Sequence, residues 1–161
     1  GGLTIRTAPL IWRQSEKCAL AANLVAPAMQ ANAFDAYLAG LMANVGLVVA
    51  FRLIDQMHAP DAFPQSDAFI AQVFAQARIL SVRIAELWEF PESVTRAIGH
   101  AAAAADADAD PQAQALALGE RLSKLRMLVD TGRFPADDPF VTAGLGRNEL
   151  QVFDKLADEE E

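Results

Sequence analysis

An all-α fold is what the residue pattern of this chain predicts, and three observations carry that reading. Apolar residues recur at the three-to-four spacing of amphipathic helices through most of the chain. Strand signals are nearly absent, with no Asn-Gly-like pair between two alternating runs. Alanine supplies much of the 53% apolar fraction, and alanine favours closely packed helices. The 161 residues suffice for one domain with its own core. The expected architecture is a compact bundle of about six or seven helices over 9–158. Residues 1–8 read as an N-terminal tail or remnant, and 159–161 as a frayed acidic tail.

The first helix is predicted from Pro9 to Met29, with Ile11, Cys18, Ala22, Val25 and Met29 on one face. Pro27 kinks or ends it, because proline removes a backbone donor and clashes with the preceding turn. Asn32 caps a second helix, with Asp35 in its first turn and Phe34, Leu38, Leu41 and Met42 turned inward. Gly46 breaks or bends that helix, and Leu47 to Gln56 forms another. His58 to Gln65 holds two prolines and reads as a loop. Ser66 caps a helix carrying Phe69, Ile70, Val73 and Phe74, which continues or restarts through Ile79, Leu80, Ile84 and Leu87. Phe90-Pro91-Glu92 is a turn, with Pro91 at the first position of a helix that turns Val94, Ala97 and Ile98 inward. Ala105 to Asp110 alternates alanine with aspartate and reads as an acidic solvated loop. Asp110-Pro111 starts a helix to Asp130 with Leu118, Leu122, Leu125 and Val129 as its stripe. After a long connection from Thr131 to Gly146, a last helix from Asn148 to Asp158 places Leu150, Phe153 and Leu156 inward.

Charge and cysteine usage narrow the function. The net charge of -8 opposes nucleic-acid backbones and anionic membranes, so neither is expected as a partner. The longest apolar run, Val45 to Phe51, is far shorter than the ~20 residues of a spanning helix. Cys18 is the single cysteine, so no disulfide can form within the chain; this fits a reducing cytoplasm. Ser15 and Ser81 lack a histidine partner motif, and Gly144-Leu145-Gly146 lacks the further glycines and preceding strand of a phosphate loop. Trp88 reads as core. Arg121, Lys124 and Arg126 read as the exposed side of a helix.

The most informative stretch is Gly40-Leu41-Met42-Ala43-Asn44-Val45-Gly46. It resembles the Gly-Leu-Leu-His-Asp-Ile-Gly signature of the HD superfamily of metal-dependent phosphohydrolases, with Ala43 at the histidine and Asn44 at the aspartate. Three further patterns agree in order: Trp12-Arg13-Gln14-Ser15, Trp88-Glu89-Phe90-Pro91-Glu92 and Ala97-Ile98-Gly99-His100. Together, across about 10–158, they resemble the C-terminal half of an HDOD domain, the HD-related output domain of bacterial signalling proteins. The resemblance implies a helical bundle of the HD-domain type. It also implies that the family's N-terminal half is absent here. In the second pattern the family's glycine is Glu89.

An HD enzyme converges imidazoles and carboxylates on cations that activate a water. Under the resemblance, Gln14 replaces the first histidine, Ala43 and Asn44 the central pair, Ala77 a histidine before Trp88, and Ala101 the partner of His100. Glu120 stands near the distal aspartate. His100 and Glu120 remain as donors, and His58 is a third outside the pattern; two donors rarely hold a catalytic cation. The expectation is therefore a non-enzyme without metal or cofactor: a signalling output module that binds a protein partner or itself. One alternative is a regulatory domain holding a nucleotide or other small molecule among Gln14, Asn44, His100 and Glu120. The other is a residual metal-dependent phosphohydrolase.

Overall fold

A computed structural model describes residues 2–57, 66–104 and 109–158. The expected loop with His58, most of the Ala/Asp alternation and the acidic tail lie outside the described residues. Among the described residues there are eight α-helices and no strand. They are α1 (Gly2–Val25), α2 (Ala33–Met42), α3 (Val45–Met57), α4 (Asp67–Leu87), α5 (Glu92–His100), α6 (Pro111–Asp130), the single turn α7 (Pro139–Thr142) and α8 (Arg147–Lys155). The other seven have nine residues or more, as the sequence periodicity requires.

Helix α1 is the spine, packed against α6, α2, α3 and α8. It starts at Gly2, not Pro9, so residues 2–8 are helix and not tail. The cause is distant in sequence. Asp55, on α3, accepts the otherwise orphan amides of Leu3 at 3.0 Å and Thr4 at 2.7 Å. At its other end α1 stops at Val25, and Pro27 lies in a 3-10 turn. Asn32, Ser66 and Asp110 cap α2, α4 and α6 through side-chain oxygens, as their positions predict. The break between α2 and α3 falls at Ala43 and Asn44; Gly46 is inside α3 and buried. Pro91 is the cap before α5 and not its first residue.

Two apolar clusters form the core. One joins Ala21, Ala22 and Val25 of α1 to Leu122 of α6, Val141 of α7 and Phe153 and Leu156 around α8. The other joins Cys18, Ala39, Met42 and Ala43 to Val94, Ala97, Ile98, Ala101 and Leu116. Small residues at the crossings bring backbones close: a Cβ on Gly40 would lie 2.6 Å from Ala19 Cα, and one on Gly119 2.9 Å from Ala22 Cβ. Burying Phe153 alone is worth about 1.5–3 kcal/mol.

Helix α4 corrects the expected core. It buries the small stripe Ala77, Ser81 and Ala85, while Ile70, Phe74, Ile79 and Leu87 are exposed. Phe34 and Trp88, also expected inside, are exposed too. A helix that must approach closely turns its small residues to the contact, and its bulky residues are left outside.

Glu89 closes α4 with a left-handed backbone, φ +57°. This is the position where the motif resemblance places glycine, and the side chain there works against the steric preference. Glu89→Gly is expected to raise stability by about 1 kcal/mol in urea unfolding. An unchanged or lower midpoint contradicts this.

Candidate functional site

The positions that the resemblance assigns to an HD metal site can be followed one by one. Gln14 lies on α1, half-buried. Ala43, in the turn after α2, is 1% exposed, and Ala77 on α4 is buried. Asn44 is half-buried beside Ala43 and lines a crevice with Ile11, Trp12, Ser15, Leu41, Val45 and Val48 that has no room for a water. His100 ends α5 and is exposed, whereas Ala101 is buried. Glu120 on α6 is 14% exposed at its side chain and pairs with Arg78 of α4 at 2.8 Å. Among the described residues, Asn44 and Glu120 line different recesses, and neither of these two recesses includes Gln14 or His100.

Ala43 and Ala101 pack in one cluster with Cys18, Met42 and Leu116. Burial pushes the Cys18 thiol up to about 12, and the Glu120 carboxylate adds to this; Arg78 and a hydrogen bond with Ser123 act the other way. A protonated, buried thiol is a poor nucleophile. Among the described residues, no three His, Cys, Asp or Glu side chains converge as a metal set. Alanine methyls and neutral amides do not fit a catalytic cation, which needs anionic or imidazole donors.

Arg78 is the residue that sequence reasoning missed. It shares α4 with the small stripe and ties the one retained carboxylate across to α6. Its only signal was a cation within an apolar helix pattern. Ser81 also gains a structural role: its hydroxyl accepts the Gly46 amide at 2.8 Å and donates to the Ala77 carbonyl at 3.1 Å.

The open feature of this region is a groove along α6. One recess of 380 Å³ is lined by Ala101, Glu120, Arg121, Lys124 and Phe140 among others. A neighbouring recess of 520 Å³ shares Ala101, Ala117 and Arg121 and reaches Gln114 and Glu149. Arg121 and Lys124 are exposed, as expected. Arg126 is not: its side chain is 12% exposed, bonded to Asp130 at 2.9 Å and stacked 4.7 Å over the Phe153 ring.

The chain matches the family described as HDOD domain over residues 4–104, more than half its length. The chain belongs to the HDOD family. The match sits in the N-terminal part of this chain, whereas the sequence motifs placed the resemblance over about 10–158 and on the family's C-terminal half. It takes in the turn at Ala43–Asn44, the Ala77 stripe and His100–Ala101, but not Glu120. No curated protein and no solved structure matches the chain. The all-α bundle accords with HDOD membership, and the HD-related output domain is the functional class to which that membership points.

Proposed function

We propose that this HDOD chain is a non-catalytic output module of bacterial signal transduction, acting in the cytoplasm through protein-protein contact. One observation carries the reading: Ala43 and Ala101, at positions where HD enzymes hold metal ligands, pack with Cys18 and Leu116 in an apolar cluster. Glu120 supports it, because its charge is already committed to Arg78. An upstream change of state would be transmitted as altered exposure of a helix face.

Purification with added manganese or iron, followed by elemental analysis and a phosphodiester-cleavage assay, tests this. Substoichiometric metal and no cleavage are expected. Near-stoichiometric metal with turnover would restore the residual-phosphohydrolase reading. A second arm reinstates the motif. Ala43→His/Asn44→Asp forces an imidazole into a filled cluster and adds a half-buried carboxylate, at a cost of about 2–3 kcal/mol. The variant is expected to lose stability and take up no manganese. Stable, stoichiometric uptake would show that the cluster yields to a metal.

The α6 groove favours a second reading, a regulatory site for a nucleotide or similar small molecule. Its recesses lie in the size range of ligand pockets, and Arg121 and Lys124 supply positive charge beside Glu120. Thermal-shift measurements with mono- and cyclic dinucleotides decide it: no shift at millimolar ligand removes this reading.

A further inference from the structure

We propose that two copies of this chain pair through one end of the bundle, formed by residues 2–14 of α1, 48–57 of α3 and 67–76 of α4. The inference rests on the interaction-module reading above and names the surface and the partner. None of the residues in these three stretches is buried, although all three are helical. Helices in proteins gain most of their stability from tertiary packing of an apolar face, and these stretches bury none of their own residues.

Its apolar residues lie in stripes. Val49, Leu53 and Met57 follow at four-residue steps on α3, and Ile70 and Phe74 do so on α4. Met57 is 75% exposed, Ile5 72%, Phe74 51% and Leu53 49%. Between the start of α1 and the end of α3 lies a recess of 390 Å³ lined by Thr4, Ile5, Arg52, Asp55 and Gln56, large enough to take a partner's side chain. Apolar residues exposed in such a concentration mark interaction sites.

Charge selects the occupant. The lobe holds Arg6, Arg13 and Arg52 against Asp55 and Asp67, a formal +1, on a chain whose total is -8. The excess negative charge therefore lies outside these three stretches, and two like chains approach through them with less repulsion than the chain total implies. Both signs are present on the one surface, which a two-fold contact needs, since each copy must complement itself. A bilayer is the competing occupant, because Ala33–Met57 and Asp67–Leu87 are long and apolar enough to span one by length and composition. The first of these is broken by the turn at Ala43–Asn44, and Asp55 and Asp67 set carboxylates on the surface that would meet lipid.

Light scattering after gel filtration, across a micromolar concentration series of the full chain, tests the dimer. The expected mass is twice the 17.3 kDa chain. Leu53→Glu/Phe74→Glu should weaken pairing on the order of 100-fold, by burying two unpaired charges, with an unchanged far-UV circular dichroism spectrum. Arg121→Glu, on the α6 groove, should leave the dimer intact. If the double variant loses helix, Ile5→Glu replaces it. A wild-type chain at single mass throughout the series overturns the proposal, as does a folded double variant that stays dimeric. A monomer that co-sediments with phosphatidylcholine/phosphatidylglycerol vesicles overturns it in favour of lipid. A monomer without metal or cleavage activity removes the dimer and leaves the non-catalytic reading standing; a dimer that cleaves phosphodiesters does the reverse.

Discussion

Gly46→Val is expected to destabilise the fold by on the order of 4 kcal/mol, enough to unfold a marginal domain. A Cβ at this position would lie 2.1 Å from the Ala77 carbonyl oxygen and 2.7 Å from the Ser81 amide nitrogen. Both are backbone atoms of α4 and cannot rotate away, so α3 and α4 must separate. Separation also breaks the bond from the Gly46 amide to Ser81 Oγ. Overpacking commonly costs about 1–3 kcal/mol, and the rigid backbone on both sides puts this case above that range. Urea unfolding followed by circular dichroism measures the loss. Gly99→Ala is the control, because a Cβ there meets only Val82 Cγ2 at 3.6 Å, an ordinary contact. That variant should match the wild type or exceed it by up to about 1 kcal/mol, the helix propensity of alanine over glycine. Equal losses in the two variants would show that close approach is not the cause.

The second large effect is Lys17→Met, for which a loss of about 2–3 kcal/mol is expected. Lys17 is buried on α1, and its ammonium donates to the Leu156 carbonyl at 2.6 Å and to Asp158 Oδ1 at 2.6 Å. It also stands 3.5 Å from Asp130. It thereby caps the end of α8, where orphan carbonyls and the helix dipole both favour a cation. Methionine keeps most of the volume and leaves that carbonyl without its donor. Asp130 retains Arg126, which limits the damage. The pH profile gives a second readout. The Lys17 hydrogen bond holds the Asp158 carboxyl below its ordinary range, against a smaller opposing effect of burial. The unfolded chain therefore binds this proton more readily than the folded one. The stabilisation is present above the unfolded value and is lost as pH falls through the folded value. Lys17→Met should flatten this part of the acid limb. A variant as stable as wild type with an unchanged acid limb would show that α8 is held by its apolar face alone.

Gly46 and Gly40 bear on how the signature at 40–46 should be understood. Both glycines serve helix packing: Gly40 admits α1, and Gly46 admits α4. Neither role involves a metal. The glycine frame can therefore stand while Ala43 and Asn44 occupy the positions between, one filling the core and the other a tight crevice. The motif was readable because packing fixes its spacing, and its chemistry is separable from that spacing.

The caps at Asn32, Ser66 and Asp110 and the stop near Pro27 were legible because each is a local interaction within a few residues. The start of α1 was not legible, because its capping carboxylate comes from Asp55 on another helix. The buried face of α4 was misread for a related reason. Periodicity counts large apolar residues, whereas the contact with α3 selects the small stripe Ala77, Ser81 and Ala85.

The sequence by itself determined that the chain is helical and where most helices begin, and its resemblance named the side chains expected at the HD ligand positions. These follow from local propensity, capping and residue identity. Only the tertiary structure decided that Ala43 and Ala101 pack with Cys18 in one apolar cluster, that Arg78 pairs with Glu120, and that none of the described residues at 2–14, 48–57 and 67–76 is buried. Each of these joins or exposes residues of different helices, and the helix faces that meet are set by how closely the backbones can approach.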